Sequence, residues 1–203
     1  MTTKKSSAPV EKAITEEDIL SYDEIDELYK KITDLEELVI VRIALMGGLR
    51  LAEILDLEGR DLDLDRGALL VRKGKDTKGK KDKTGTRIGK ERYAPVDLCT
   101  ISLIRCLIAS RDTGEFKADR RIDKIIKIPR RTVQRHISSL MPRNGLSIHS
   151  LRHTAATMQL ECGINLMEVR DNLGHTDVKI TQQYLHLDIL RRAQKYRDAM
   201  RTR

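Results

Sequence analysis

The chain contains no tryptophan, one phenylalanine and five tyrosines in 203 residues. So few rings cannot build an aromatic platform for stacking nucleic-acid bases, and that binding mode is set aside. Cysteine is scarce too. Cys99, Cys106 and Cys162 are odd in number and include no C-x-x-C pair, which argues against a disulfide scaffold or a zinc cluster. No apolar run approaches the length that spans a bilayer. The first lysines are followed by Ser6 and Ser7 rather than an apolar stretch, so no secretory signal is read. A reducing, cytoplasmic setting is expected, and the length suits one domain with tails.

Charge is abundant and unevenly placed. Lys and Arg against Asp and Glu stand at 9 to 17 in residues 1–70, 10 to 3 in residues 71–92, and 20 to 11 in residues 93–203. The net charges are −8, +7 and +9, which sum to +8 for the whole. Such a chain is expected to carry one basic face, and the usual partner of a basic face is a phosphate-rich polymer. A merely solvated charged surface would have the same composition.

Apolar spacing predicts a mainly helical chain with one small antiparallel sheet, an α+β class. Residues 1–13 read as a flexible tail. Ser21 with Glu24 has capping-box spacing, and Leu35–Met46 reads as a buried helix stopped by Gly47-Gly48. A helix over 50–57 follows, then strands near 68–72 and 93–96 flanking a long Lys/Gly-rich hairpin tip. Helices are predicted over 97–110, 129–141, 148–162 and 165–173, then one running through Tyr184 and a basic one from Asp188. Residues 111–128 read as a basic connector. The helix after Pro129 presents Arg130, Arg131 and Arg135 and suits docking on DNA.

Two motifs fail on inspection. Gly74 to Lys80 has P-loop spacing, but Lys81 stands where Ser or Thr must ligate magnesium. His149 and His153 have the spacing of helical zinc ligands, yet Ser150 replaces the glutamate of a metalloprotease, so no metal is expected.

One constellation is specific. It comprises Gly48-Leu-Arg50-Leu-Ala-Glu53, His149-Ser-Leu-Arg152, Gly174-His175, and Tyr184 nine residues after that histidine. These segments resemble the signatures of the tyrosine recombinase (phage integrase) family over roughly residues 14 to 203. The resemblance implies that family's catalytic domain, starting where such domains start and without the additional N-terminal DNA-gripping domain. It implies a site-specific DNA recombinase acting on double-stranded DNA through a 3′-phosphotyrosine. It also implies four protomers on DNA; the free protein is expected to be monomeric or weakly associated. Tyr184 is the implied nucleophile, with Arg50, His149, Arg152 and His175 around the phosphate. The catalytic lysine falls in the hairpin, Lys75 before Lys73, with Lys78, Lys80 and Lys81 as DNA contacts.

The chemistry explains these residue types. Without metal or nucleotide, guanidinium forks must stabilise the charge on the nonbridging oxygens. A phenol with pKa about 10 needs a group to take or orient its proton, and His149 is expected to do so. The departing 5′-oxygen needs an acid, and a hairpin lysine suits that task. Glu53 is expected to orient Arg50. His153 is expected to support its helix only. Tyr22, Tyr29, Tyr93 and Tyr196 lack the spacing to His175 and are read as packing or surface residues. The alternatives are a type IB topoisomerase-like nicking and religating activity, or a DNA-binding module without catalysis. A binding module has no need of Tyr184. The helix from Asp188 carries Leu190, Ala193, Tyr196 and Met200 as a stripe that fits either its own core or a neighbouring subunit.

Overall fold

The structure, a computed structural model, describes residues 13–72, 91–111 and 123–201. All of the expected tail but Ala13, the expected hairpin tip and the middle of the basic connector lie outside the described residues. A single turn of 3-10 helix (Glu16–Asp18) leads into α1 (Tyr22–Lys31), α2 (Leu35–Met46) and α3 (Leu51–Asp56). After a second 3-10 turn (Gly59–Asp61) come β1 (Leu62–Asp63), β2 (Ala68–Val71) and β3 (Arg92–Pro95). The remainder is helical: α4 (Leu98–Ser110), α5 (Arg130–Leu140), α6 (Ile148–Glu161), α7 (Leu166–Leu173), α8 (Val178–Gln182) and α9 (Leu185–Arg201). The three strands form one antiparallel sheet in chain order, with Leu69 paired to Ala94 and Leu70 to Tyr93. The mainly helical chain with one small antiparallel sheet is thus present.

Helix α2 is apolar around most of its circumference, and α6, α4 and α3 all pack against it. Val39, Ile40, Val41, Ile43 and Ala44 are fully buried there. Its start is fixed by Asp34, whose side chain accepts from the Glu37 amide at 2.9 Å, meeting an orphan donor of the first turn. It ends at Gly47-Gly48. Gly48 has φ +62°, a backbone conformation that side chains rarely adopt, and a Cβ there would also run into the Leu173 side chain of α7.

Two boundaries differ from expectation. The helix predicted through Tyr184 ends at Gln182, and the last helix begins at Leu185 rather than Asp188. Tyr184 therefore stands in the joint between two helices. Its ring joins a second apolar cluster with Ala156, Leu160, Val169 and Leu173, against which Ile14 and Leu185 pack. Burial of that ring overrides the continuous helical pattern read from sequence. The start of α9 docks on its own chain: Leu187 is buried, and Arg191 donates to Glu161 at 3.1 Å and to the Leu20 carbonyl at 2.8 Å. Of the expected stripe, Ala193 is half-buried and Met200 exposed; the side chains of Leu190 and Tyr196 lie outside what is described. Among the described residues, no helix is long and apolar enough to cross a membrane.

Candidate active site

Helix α6 supplies most of the site, because its helical period brings His149, Arg152 and His153 to one end of one face. Ser147 caps it, accepting from the His149 amide at 3.2 Å. Arg152 points inward and is 2% exposed. Its guanidinium donates to the carbonyl of Gly48 and, at 2.7 Å, to that of Leu173. One fork thus joins the α2–α3 turn to the end of α7. Burial, with repulsion from Arg50, pushes Arg152 down to about 9, and Glu53 opposes this. It remains a cation at neutral pH.

Arg50 caps α3 and is 28% exposed at its side chain. Its Nη1 donates to Glu53 Oε1 at 3.0 Å, and its amide donates to Oε2 at 2.9 Å. The contact expected between Glu53 and Arg50 is therefore present. Glu53 is itself buried and also holds Arg92, while an Arg152 nitrogen lies 3.9 Å from Oε2. Burial alone would raise the Glu53 pKa. The ion pairs with Arg92 and Arg50 outweigh that and hold it below the ordinary carboxylate range.

Helix α7 ends on Gly174, whose φ of +66° turns the chain so that His175 enters the cleft. His175 Nδ1 lies 2.9 Å from the hydroxyl of Thr181, a fully buried residue of α8. Burial and the cations Arg152, Arg50 and Arg92 push His175 down to about 3. Tyr184 is 1% exposed, and burial raises its phenol to about 12 against the pull of Arg152 and Arg50.

The hydrogen bond expected of His149 is made by His153 instead. His153 Nδ1 lies 2.7 Å from the Tyr184 hydroxyl, and burial with repulsion from His149 pushes it down to about 4. One helical step after Arg152 places it deeper toward the α8–α9 joint than His149. His149 lies on the exposed side, its ring edge-on to that of His153 at 4.9 Å. The adjacency of His153 to the motif was the only sequence signal, and it did not discriminate. Arg92 was also missed. A lone arginine at the start of a strand carries no spacing signal.

Arg50, His149, Arg152, His153, His175 and Tyr184 line one open cleft of about 370 Å³, together with Ala13, Ile14 and Asp18. Tyr22, Tyr29 and Tyr93 stand elsewhere. Tyr22 donates to Glu161 at 2.7 Å, and Arg42 and Arg66 lie over the rings of Tyr29 and Tyr93. Lys73, Lys75, Lys78, Lys80 and Lys81 lie outside the described residues. Arg130, Arg131 and Arg135 are exposed on α5, which buries Val133 and Ile137.

Comparison with known proteins places the cleft in context. The model of the phage integrase family matches residues 18–191. The tyrosine recombinase XerA of Thermococcus kodakarensis is 31% identical over 185 residues, covering 87% of this chain and 61% of that protein. XerA of Saccharolobus solfataricus is 33% identical over 151 residues, which is 73% of this chain and 45% of the relative. The chain thus spans about half the length of these relatives. Among solved structures, that of XerA recombinase superposes with a TM-score of 0.66 at 26% identity, covering 89% of this chain and 64% of that one. A XerH recombinase bound to its difH substrate, in a post-cleavage complex, gives 0.63 at 21%, covering 88% and 52%, and shows the shared fold. The chain belongs to the phage integrase family of tyrosine recombinases.

Proposed function

We propose that this chain is the catalytic part of a site-specific recombinase that cuts and rejoins double-stranded DNA. The observation that carries the reading is a buried phenol, Tyr184, hydrogen-bonded to His153 at the floor of a cleft walled by Arg50 and Arg152. A phosphodiester entering the cleft would meet Arg50 from its exposed side and Arg152 from below. The two guanidiniums would share the charge that builds on the nonbridging oxygens. His175, neutral and fixed by Thr181, would donate one further hydrogen bond to the phosphate.

Attack by Tyr184 forms the oxygen–phosphorus bond of a 3′-phosphotyrosine and releases the 5′-oxygen. The phenol proton must leave as this bond forms. His153, neutral at physiological pH, is the acceptor within reach when its own proton sits on Nε2. The leaving oxygen takes a proton from a lysine of the 73–90 segment, Lys75 being preferred. The reverse reaction needs no energy source because the phosphotyrosine retains the bond energy. Arg130, Arg131 and Arg135 would contact the DNA backbone, and four protomers would assemble on two duplexes.

Incubation with a duplex nicked beside the scissile bond tests this reading. Loss of the short fragment should trap a covalent adduct on Tyr184. Exchange between two labelled duplexes distinguishes recombination from nicking and religation. Absence of any adduct with every DNA offered would count against the proposal.

A further inference from the structure

Arg92 opens β3, and its guanidinium is 10% exposed at the side chain. All three of its nitrogens are engaged. Nη2 and Nη1 donate to the two oxygens of Glu53 at 2.8 and 3.2 Å, and Nε donates to the carbonyl of Asn172 at 3.0 Å. Asn172 belongs to the last turn of α7, just before Gly174 and His175. At Gly174 the contact is so close that a Cβ would lie 2.9 Å from the Arg92 guanidinium. Three separate parts of the fold therefore meet on one side chain: α3, the sheet, and the turn that delivers His175.

The division of Glu53 is the informative detail. Arg92 takes both carboxylate oxygens, whereas the Arg50 side chain takes Oε1 through a single nitrogen. A carboxylate facing Arg50 alone would draw it into a two-toothed pair, because that is the geometry such pairs prefer. Arg50 would then turn away from the cleft with its charge neutralised.

We propose that Arg92 is a positioning residue, which shares Glu53 so that Arg50 stays turned toward the cleft and which pins the His175 turn to the sheet. It touches no phosphate itself. The proposal rests on the reading that the cleft cleaves DNA.

The experiment compares the wild type with Arg92→Gln, Arg92→Lys, Glu53→Gln and the double variant Arg92→Gln/Glu53→Gln. Single-turnover cleavage of the nicked duplex, corrected for the folded fraction, should fall about 100-fold in Arg92→Gln, the scale of a misplaced reacting group, with DNA affinity little changed. Lys, a point charge without the fork, should not restore it. Adding Glu53→Gln to Arg92→Gln should cost nothing more, or recover part of the rate, because the competing carboxylate is gone. Additive penalties, full activity in Arg92→Lys, or an unchanged rate in Arg92→Gln would each overturn the proposal. A second readout needs no DNA. In the free Arg92→Lys protein, the NMR signals of the Arg50 Nε–H and of the Gly174 and His175 amides should move while those of α1 do not. Unmoved signals would overturn the positioning role even if the wild type forms no adduct. A silent wild type with moved signals would instead fault the DNA-cleavage reading.

Discussion

His153 Nδ1 and the Tyr184 hydroxyl lie 2.7 Å apart, and neither group carries charge near neutral pH. The pair is therefore a neutral hydrogen bond in a buried pocket, strong enough to fix the phenol but leaving its proton in place. Two substitutions separate these functions. Tyr184→Phe removes only a hydroxyl and should abolish the covalent adduct while leaving duplex affinity intact. An adduct that survives, or maps to Tyr196, would refute the assignment.

His153→Ala removes the acceptor and leaves the hydroxyl unsatisfied. Cleavage should slow by about 100-fold, the lower range for loss of a positioned proton acceptor. His153→Gln offers an oxygen that can hold the phenol but takes up a proton poorly, so its rate should fall between the two. If His149→Ala proves far more damaging than His153→Ala, the proton path runs through the outer histidine.

The two arginines should fail in different ways. Arg152 is buried and bridges the carbonyls of Gly48 and Leu173, so Arg152→Lys should lower both the melting temperature and the cleavage rate. Arg50 is partly exposed, and Arg92 keeps Glu53 paired in its absence. Arg50→Ala should therefore cost about 100- to 1,000-fold in rate with little change in melting temperature. A fully active Arg152→Lys variant would mean that the fork is dispensable.

Acid should weaken the fold before it protonates the carboxylates. His175 and His153 have ordinary values of 6.5, pushed down to about 3 and about 4 in the folded chain. Between those values and 6.5 the unfolded chain binds protons that the folded chain refuses, so stability is full above 6.5 and is lost as pH falls. The paired carboxylates Glu24, Glu53 and Asp97 add their loss only at lower pH, since their values are depressed. Urea midpoints between pH 7 and 5 should thus decline in the wild type and decline less in His175→Gln. Parallel curves would show that His175 does not titrate this way.

Much of this site was legible because its residues sit at fixed distances along the chain. His149, Arg152, His175 and Tyr184 are tied by helix spacing and by the αL turn at Gly174, and such local geometry survives in sequence. Long-range sharing does not. Glu53 and Arg92 are separated by a strand pair and the residues between, so nothing in their spacing announces one carboxylate serving two arginines. The exchange of His153 for His149 has a similar cause. Both lie on α6, and only the position of the α8–α9 joint, fixed by burying the Tyr184 ring, decides which of them it reaches. Fold class was easier, since the apolar run of α2 and the cap at Ser21 are written in composition and short-range pattern.

The proposal that a lysine protonates the leaving oxygen can be tested by chemistry alone. A 5′-alkoxide is a poor leaving group, whereas a thiolate, with a thiol pKa of about 8.5, departs without an acid. Replacing the bridging 5′-oxygen with sulfur should therefore rescue a variant that lacks only the general acid. Lys75→Ala is expected to cleave the ordinary duplex slowly and the sulfur-bridged duplex at nearly the wild-type rate. Arg152→Lys should gain nothing from sulfur, because its defect lies at the nonbridging oxygens. Lys73→Ala should be slow on neither substrate beyond its share of backbone binding. If Lys73→Ala shows the rescue and Lys75→Ala does not, the two lysines exchange roles and the mechanism stands. If neither variant is rescued, the proton comes from outside this pair of lysines.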